Sequence, residues 1–501
     1  MFPFLTVLVA LPAAASVVLF ALPKAARGAS RWVALGVALA ELVLGAVMAA
    51  GFDASAASAQ QFGELHAWIP QIGASWALGI NGIGLLLVLL SIVLTPLVIL
   101  AGWNDDEDPD RRMKYLALIL ALEAFMVLIF AARDVFLFYV AFEAMLIPLY
   151  FLIGLFGGEQ RRYAAVKFLL FSLVGGLVML AGVIALYSVG PGGDQGFLTD
   201  RLIGLSLDTT TERLIFVAFF FAFAIKAPMV PLHTWLPTVA QTARPGTTTL
   251  LVAVLDKVGT FGMISLCLPL FPQASRWAAP LIITFAVVSI IYGALLAIGQ
   301  KDLLRMVAYS SVSHFGFMVL GIFALRQTSV EGSAFYMLNH GLSTGALFLV
   351  VAFLIQRRGS AQIDDFGGLQ KVVPVLAGTF LVIGLSVLAL PGLSPFVSEI
   401  MVLVGAYSAA SVAVIIAIVG VVLAALYILL AYQRIFTGPV RKGLEKTPDL
   451  SWREKLVAGP LIVAMIVLGF VPGIAIGVLR DPVADVITTA VPAASPAEVS
   501  E

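Results

Sequence analysis

An all-α polytopic membrane protein of about fourteen transmembrane helices, two of them broken and set in two inverted five-helix repeats, is what three features of this sequence predict. The first is composition: of 501 residues, 61% are hydrophobic and 12% charged, and the mean hydropathy of +1.05 lies far outside the range of a soluble globular protein. The second is a succession of apolar runs near the length of about 20 residues that crosses a bilayer. The third is the distribution of basic residues among the loops, which alternates with those runs.

The runs lie near 2–23, 32–51, 77–102, 114–132, 135–156, 164–188, 213–237 and 246–270, then 278–299, 303–325, 332–355, 373–407, 411–433 and 456–479. The first looks like a signal-peptide core but has no basic residue before it. Lys24, Arg27 and Arg31 follow it instead, the arrangement of a retained helix that starts outside the cytoplasm. With the amino terminus outside, 21 of the 29 basic residues fall in inward loops and flanks and 6 in outward ones. This is the bias of cytoplasmic loops, and it predicts both termini outside. Lys226 and Lys257 are the two basic residues left inside runs. No loop is long enough to read as a soluble domain. The acidic stretch Asp105, Asp106, Glu107, Asp108, Asp110 reads as a solvated loop, with partner docking as the alternative.

The seventh run carries Pro228, Pro231 and Pro237, and the twelfth carries Pro391 and Pro395. Proline inside a helix removes a donor and clashes with the preceding turn, so both helices are expected to break. Freed backbone at membrane depth is tolerated only inside protein or along a wet cavity. Each break is fourth in a block of five runs, and five is odd. Tandem five-span units therefore enter the membrane in opposite senses, the plan of many secondary transporters. The expected divisions are 1–112 (three peripheral spans), 113–271 (first repeat, broken near 226–231), 272–437 (second repeat, broken near 391–395) and 438–501 (loop, last span and short tail). Kinks without functional meaning are the alternative.

Ionisable groups near mid-span carry the chemistry: Glu143, Lys226, Lys257, His314, His340 and Glu399. A charge at the bilayer centre costs roughly 2.5–3.5 kcal/mol even on mild scales, so a chain that keeps several points to an ion path. Carboxylates, amines and imidazoles in low dielectric respond to one another's charge, which is what a proton relay needs, and histidine both donates and accepts. Each has a plainer reading. Glu143 suits a hydrogen-bonded core carboxyl, Lys226 a cap on carbonyls freed by its own helix break, and the histidines core hydrogen bonds. Asp256 precedes Lys257, but neighbours on a helix point about 100° apart, so no pair is assured. Glu123 is a candidate for the path, whereas Glu41 suits contact with a neighbouring helix.

Other chemistries fare poorly. Cys267 is the single cysteine and four histidines are widely spaced, so neither an iron–sulfur cluster, nor a disulfide within the chain, nor a His-based metal site follows. Glycine pairs lie between apolar helices rather than between a strand and a helix, so no nucleotide is expected to bind. Zero net charge gives no argument for nucleic acid.

The stretches DVFLFYVAFEAMLIPLYFLIG, AFAIKAPMVPLHTWLP, VLDKVG, YSSVSHFGFMVLG, NHGLSTGALF and LPGLSPFVSE resemble, in order and spacing, the antiporter-like membrane subunits of respiratory complex I, a family shared with multisubunit cation/proton antiporters. The likeness runs from about residue 70 to 440. It implies that Glu143 pairs with Lys226, and that Lys257 leads through His314 or His340 to a terminal group at Glu399. Relatives of the L, N and antiporter D types carry lysine at the last position and M-type chains glutamate, so Glu399 and the short tail favour the M type. Where many relatives read HTWLPDAHTEAP this chain reads HTWLPTVAQTARP, which changes the expected proton uptake route around Gln241 and Arg244. The resemblance further implies a non-redox proton translocase in a bacterial inner membrane, beside other membrane-arm subunits and antiporter-like chains. No cofactor is expected on this chain, with NADH, FMN, iron–sulfur clusters and quinone on partner subunits. A cation/proton antiporter subunit without redox partners is the alternative.

Overall fold

The computed structural model describes residues 2–491. Helices α1 Phe4–Phe20 and α2 Ser30–Ala50 precede a hairpin of β1 Gln61–Ile69 and β2 Ala74–Ile80, and then come α3 Gly82–Ala101, α4 Pro109–Ala131, α5 Val135–Ala144, α6 Leu146–Phe156 and α7 Arg161–Val189. The short α8 Thr199–Leu202 leads to α9 Thr209–Lys226 and α10 Trp235–Thr242. Next, α11 Pro245–Leu250, α12 Lys257–Gly262 and the single turn α13 Leu268–Leu270 are joined by π-helical stretches Leu251–Leu255 and Met263–Cys267. The rest is α14 Pro272–Ile298, α15 Leu303–Phe323, α16 Gln327–Arg358, α17 Pro374–Val387, α18 Ser394–Phe436, α19 Trp452–Phe470 and α20 Gly473–Ala490.

Loop residues start these helices by accepting backbone N–H groups that have no partner within the first turn. Asn81 caps α3, Asp108 α4, Asp134 α5, Asp208 α9 and Asp302 α15. Ser451 and Glu454 form a reciprocal capping box on α19.

Among the described residues, ten helices are long and apolar enough to cross a membrane, or eleven if the bent pair α19–α20 counts as one. Both predicted breaks are present. Between α9 and α10 the freed groups find partners: the Trp235 indole N–H donates to Ile225 O at 3.0 Å, and Val230 N–H to Ser289 Oγ at 3.0 Å. Between α17 and α18, Gly392 has φ +94°, and the Asn339 amide donates to Ser394 O at 3.0 Å. These partners are what the bilayer interior demands of broken backbone.

The structure corrects the sequence reading at four places. Residues 77–80, read as the start of a span, are the end of β2. That hairpin exists because Glu64 accepts the free N–H groups of Leu5 and Thr6 on α1, and Ser75 N–H donates to Asp134 at the start of α5. The loop expected between runs twelve and thirteen is absent: α18 passes through with one non-helical residue, Ala410 (φ −147°, ψ 53°). The last run, placed at 456–479, instead bends by 68° between α19 and α20, where Pro472 has no N–H to continue the helix. The acidic loop is not simply solvated. Asp106 is half-buried between Arg244 and Arg111, and Asp105 accepts from Gln356 at 2.8 Å.

Loop contacts sort onto two faces. One joins Arg27 to Asp110 at 2.5 Å, Arg244 to Asp106, Arg305 to Gln241 at 3.2 Å and Arg357 to Glu454 at 2.7 Å. The other joins Arg133 to Asp200, Glu212 to Gln273 N–H at 2.8 Å and Arg276 to Ala490 O at 2.7 Å. Between the faces, 94% of the residues in the apolar 18-residue stretch are buried in each of Pro245–Leu270, α15 and α16, against 39% in α7 and 33% in α18. Protein surrounds the first three, and they carry Lys257, His314 and His340.

Candidate functional site

Lys257 follows the first π-helical stretch, in which Asp256 N–H bonds back to Leu251 O at 2.9 Å. A π turn widens the helix and turns the following side chains, a device common at functional sites. Lys257 is fully buried. Its Nζ donates to Val252 O at 2.6 Å and meets His340 Nδ1 at 2.7 Å, with the Phe315 ring 5.0 Å away. With the ammonium as donor, Nδ1 is the acceptor and the imidazole proton resides on Nε2.

The His340 ring stands perpendicular to that of His314, centroids 5.3 Å apart. Neither His340 Nε2 nor His314 Nδ1 has a hydrogen-bond partner among the described residues, although both are buried. His314 Nε2 lies 3.1 Å from the Tyr427 hydroxyl on α18. One turn before His340 on α16, Tyr336 donates to Glu399 Oε2 at 3.0 Å. The structure therefore brings Lys257, His340 and His314 into a row that tyrosine hydroxyls extend toward Glu399. Glu399 borders a cavity of about 840 Å³ whose other lining residues, among them Leu390, Pro391, Phe396 and Tyr407, are largely apolar.

The first half is built differently. Lys226, buried at the end of α9, donates to Ser172 Oγ on α7 at 3.3 Å and lies 5.3 and 5.0 Å from the rings of Phe142 and Phe168. Glu143 is half-buried near the end of α5, in a notch over Gly176, one turn further along α7. A Cβ at Gly176 would collide with the Glu143 carboxyl, so the missing side chain is what makes room for it. No ion pair within 4 Å joins Glu143 to Lys226: the pairs that form among the described residues all lie in loops or at helix ends. The pairing implied by the resemblance is therefore not a direct contact in this structure. The two charges bracket one turn of α7, and Glu143 opens to a shallow cavity of about 260 Å³ beside the exposed Ile147 and Phe151.

Glu123 and Glu41 are both fully buried, on the packed helices α4 and α2, and none of their four carboxyl oxygens has a hydrogen-bond partner among the described residues. Glu41 does face a helix neighbour, and that neighbour carries Glu123. Gln241 and Arg244, at the altered stretch, accept from Arg305 and clamp Asp106 respectively.

Sequence reasoning missed Ser172, Tyr336 and Tyr427. Tyr336 had one available signal, its position four residues before His340 on the same helix face. Tyr427 had none, because its meeting with His314 depends on how α18 packs against α15.

Residues 132–426 match the family described as NADH:quinone oxidoreductase/Mrp antiporter, transmembrane. The chain is 46% identical to NADH-quinone oxidoreductase subunit M of Mycobacterium tuberculosis, with 97% of this chain and 94% of the relative covered. A chain of respiratory complex I from Thermus thermophilus superposes with TM-score 0.88 at 30% identity, covering 97% of this chain and 99% of the other. A chain of the Mrp complex from Dietzia, at 21% identity and TM-score 0.86 over 98% of this chain and 100% of the other, shares the fold. The motif series, the buried row of ionisable groups and nearly full-length identity converge, and the chain belongs to the NADH:quinone oxidoreductase/Mrp antiporter family, among the subunit M proteins.

Proposed function

We propose that this chain is a proton-translocating membrane-arm subunit of an NADH-quinone oxidoreductase. Redox chemistry on partner subunits, which hold NADH, FMN, iron–sulfur clusters and quinone, shifts the charge state of its buried row. The chain itself binds no cofactor. It sits in a bacterial cell membrane beside other membrane-arm subunits and antiporter-like chains, with both termini on the outer side.

The observation that carries this reading is the contact series from Lys257 through His340 and His314 to Tyr427, with Tyr336 holding Glu399 beyond it. Proton transfer needs donors and acceptors within hydrogen-bond reach, directly or through one water. In the proposed cycle Glu143 and Lys226 form a switchable pair across the Ser172–Gly176 turn. When their attraction weakens, Lys226 releases a proton toward Lys257. The proton then crosses the two imidazoles and reaches Glu399, which discharges it through the cavity at the second helix break.

The architecture proposed for this work is fourteen crossings: the eleven long apolar candidates plus α1, the broken pair α9–α10, and α17, which joins the first part of α18 so that the part after Ala410 crosses separately. The sorting of loop contacts onto two faces supports that count. Within it, 1–112 is peripheral, 113–271 and 272–437 are inverted five-span units broken at their fourth members, and 438–501 closes the chain. The rival is a cation/proton antiporter subunit without redox partners. The 46% identity to a subunit M protein favours the first reading, and the chains that copurify separate the two.

The test uses membrane vesicles holding the assembled complex. Lys226→Ala is expected to remove most NADH-driven proton uptake, roughly a hundredfold, the scale of removing a proton-transfer group. Unchanged uptake rejects the relay.

A further inference from the structure

Lys226 and Lys257 are the two ends of a gap. Lys226 bonds to Ser172 on α7, and Lys257 turns away to His340 on α16. No hydrogen bond joins one lysine to the other, so a proton released by the first has no direct route to the second.

Asp256, beside Lys257 in sequence, is fully buried, and neither carboxyl oxygen has a hydrogen-bond partner among the described residues. Leaving a buried polar group unpaired is costly, and more so for a charged one, so an orphaned carboxyl in a native core calls for an explanation. The charges that act on it are those of Lys257 and Lys226, and Asp256 acts in turn on Lys226 alongside Glu143. Helix geometry agrees. Adjacent residues diverge by about 100°, so with Lys257 committed to α16 its neighbour faces elsewhere, while residues three apart share a face. Gly259, three residues after Asp256, lies against the end of α9: a Cβ there would sit 2.5 Å from Phe223 O and 2.6 Å from Ala227 N. Those residues flank Lys226, so the face that carries Asp256 is the face turned to the Lys226 helix.

We propose that Asp256 is a proton station between the two lysines, a role that rests on the relay reading above. The Lys226 ammonium gives its proton to the Asp256 carboxylate, leaving a neutral amine and a carboxylic acid. The acid then gives the proton to the neutral Lys257 amine, and the carboxylate returns. Charge and protons balance at each step, with no further reactant. A carboxyl fixed by hydrogen bonds would be a poor carrier, and the two unpartnered oxygens leave this one ready for either lysine.

The experiment compares Asp256→Asn, Asp256→Glu and Lys226→Ala in vesicles with the assembled complex, reading NADH-driven proton uptake and the infrared carboxylic-acid band that appears during turnover. Asparagine keeps shape and neutral hydrogen bonding but carries no transferable acid proton. It is expected to lower uptake about tenfold or more and to remove one turnover-dependent band, while glutamate restores uptake to within about threefold. A purely structural Asp256 tolerates asparagine and contributes no band. Normal uptake in Asp256→Asn with loss in Lys226→Ala overturns the station and leaves the relay standing; normal uptake in both overturns the relay itself. Should the asparagine variant not assemble, Asp256→Glu decides alone: a shifted turnover band supports the station and an unmoved spectrum overturns it.

Discussion

The two halves of the site solve the same physical problem in different ways. Around Lys257 the groups touch: amine to imidazole at 2.7 Å, ring against ring, imidazole to phenol at 3.1 Å. Around Lys226 they do not, and Glu143 is separated from the lysine by a turn of α7 and opens to the outside of the chain. The row still lacks one hydrogen bond, between the two imidazoles, since neither His340 Nε2 nor His314 Nδ1 has a partner among the described residues, so a proton would cross there only through a water or a turn of a ring. A separated pair is sensitive to whatever moves either partner, and so suits the input end of a coupled device. The difference teaches that the mid-span charges do not form one uniform wire; each half has its own geometry and its own vulnerability.

The largest expected effect breaks the contact half. Lys257→Ala removes the amine from His340 and should reduce proton uptake roughly a hundredfold in the assembled complex; a variant that pumps normally would erase the contrast. A smaller effect comes from Tyr427→Phe, which deletes the hydroxyl beside His314 and keeps the ring. Uptake should fall by about fivefold to tenfold, on the scale of one lost hydrogen bond at about 1 kcal/mol or slightly more, and infrared bands of the histidine ring should shift. An unchanged rate would move the exit step to another group. The smallest tests the separated half. Gly176→Ala pushes a methyl group into the Glu143 carboxyl, and uptake should fall about twofold to threefold with assembly intact. Gly36→Ala, where a Cβ meets nothing within 4 Å, serves as the silent control. Equal behaviour of the two would show that the notch over Gly176 has no part in setting Glu143.

Much of this was legible before the fold. Lysine, glutamate and histidine inside apolar runs announce themselves because each is costly there, and the prolines of both breaks lie where the helices stop. Tyr336 and Tyr427 left no such mark, since tyrosine carries an apolar body that fits a membrane helix at little cost. Ser172 and Gly176 are equally inconspicuous, because small residues are ordinary at helix contacts in membranes. The β-hairpin was hidden for another reason: its strands are held to α1 and α5 by Glu64 and Asp134, contacts that bridge nearly 60 residues of sequence.

By itself the sequence determined the solvent this chain folds in, which stretches cross it, where two crossings break and which ionisable residues are carried into the interior. Those follow from transfer energies and backbone chemistry, which are properties of short segments. The tertiary structure decided which of those residues meet, which stay apart and which unremarkable hydroxyls fill the intervals. Hydrogen bonds form over about 3 Å, and only the packing of helices distant along the chain sets distances on that scale.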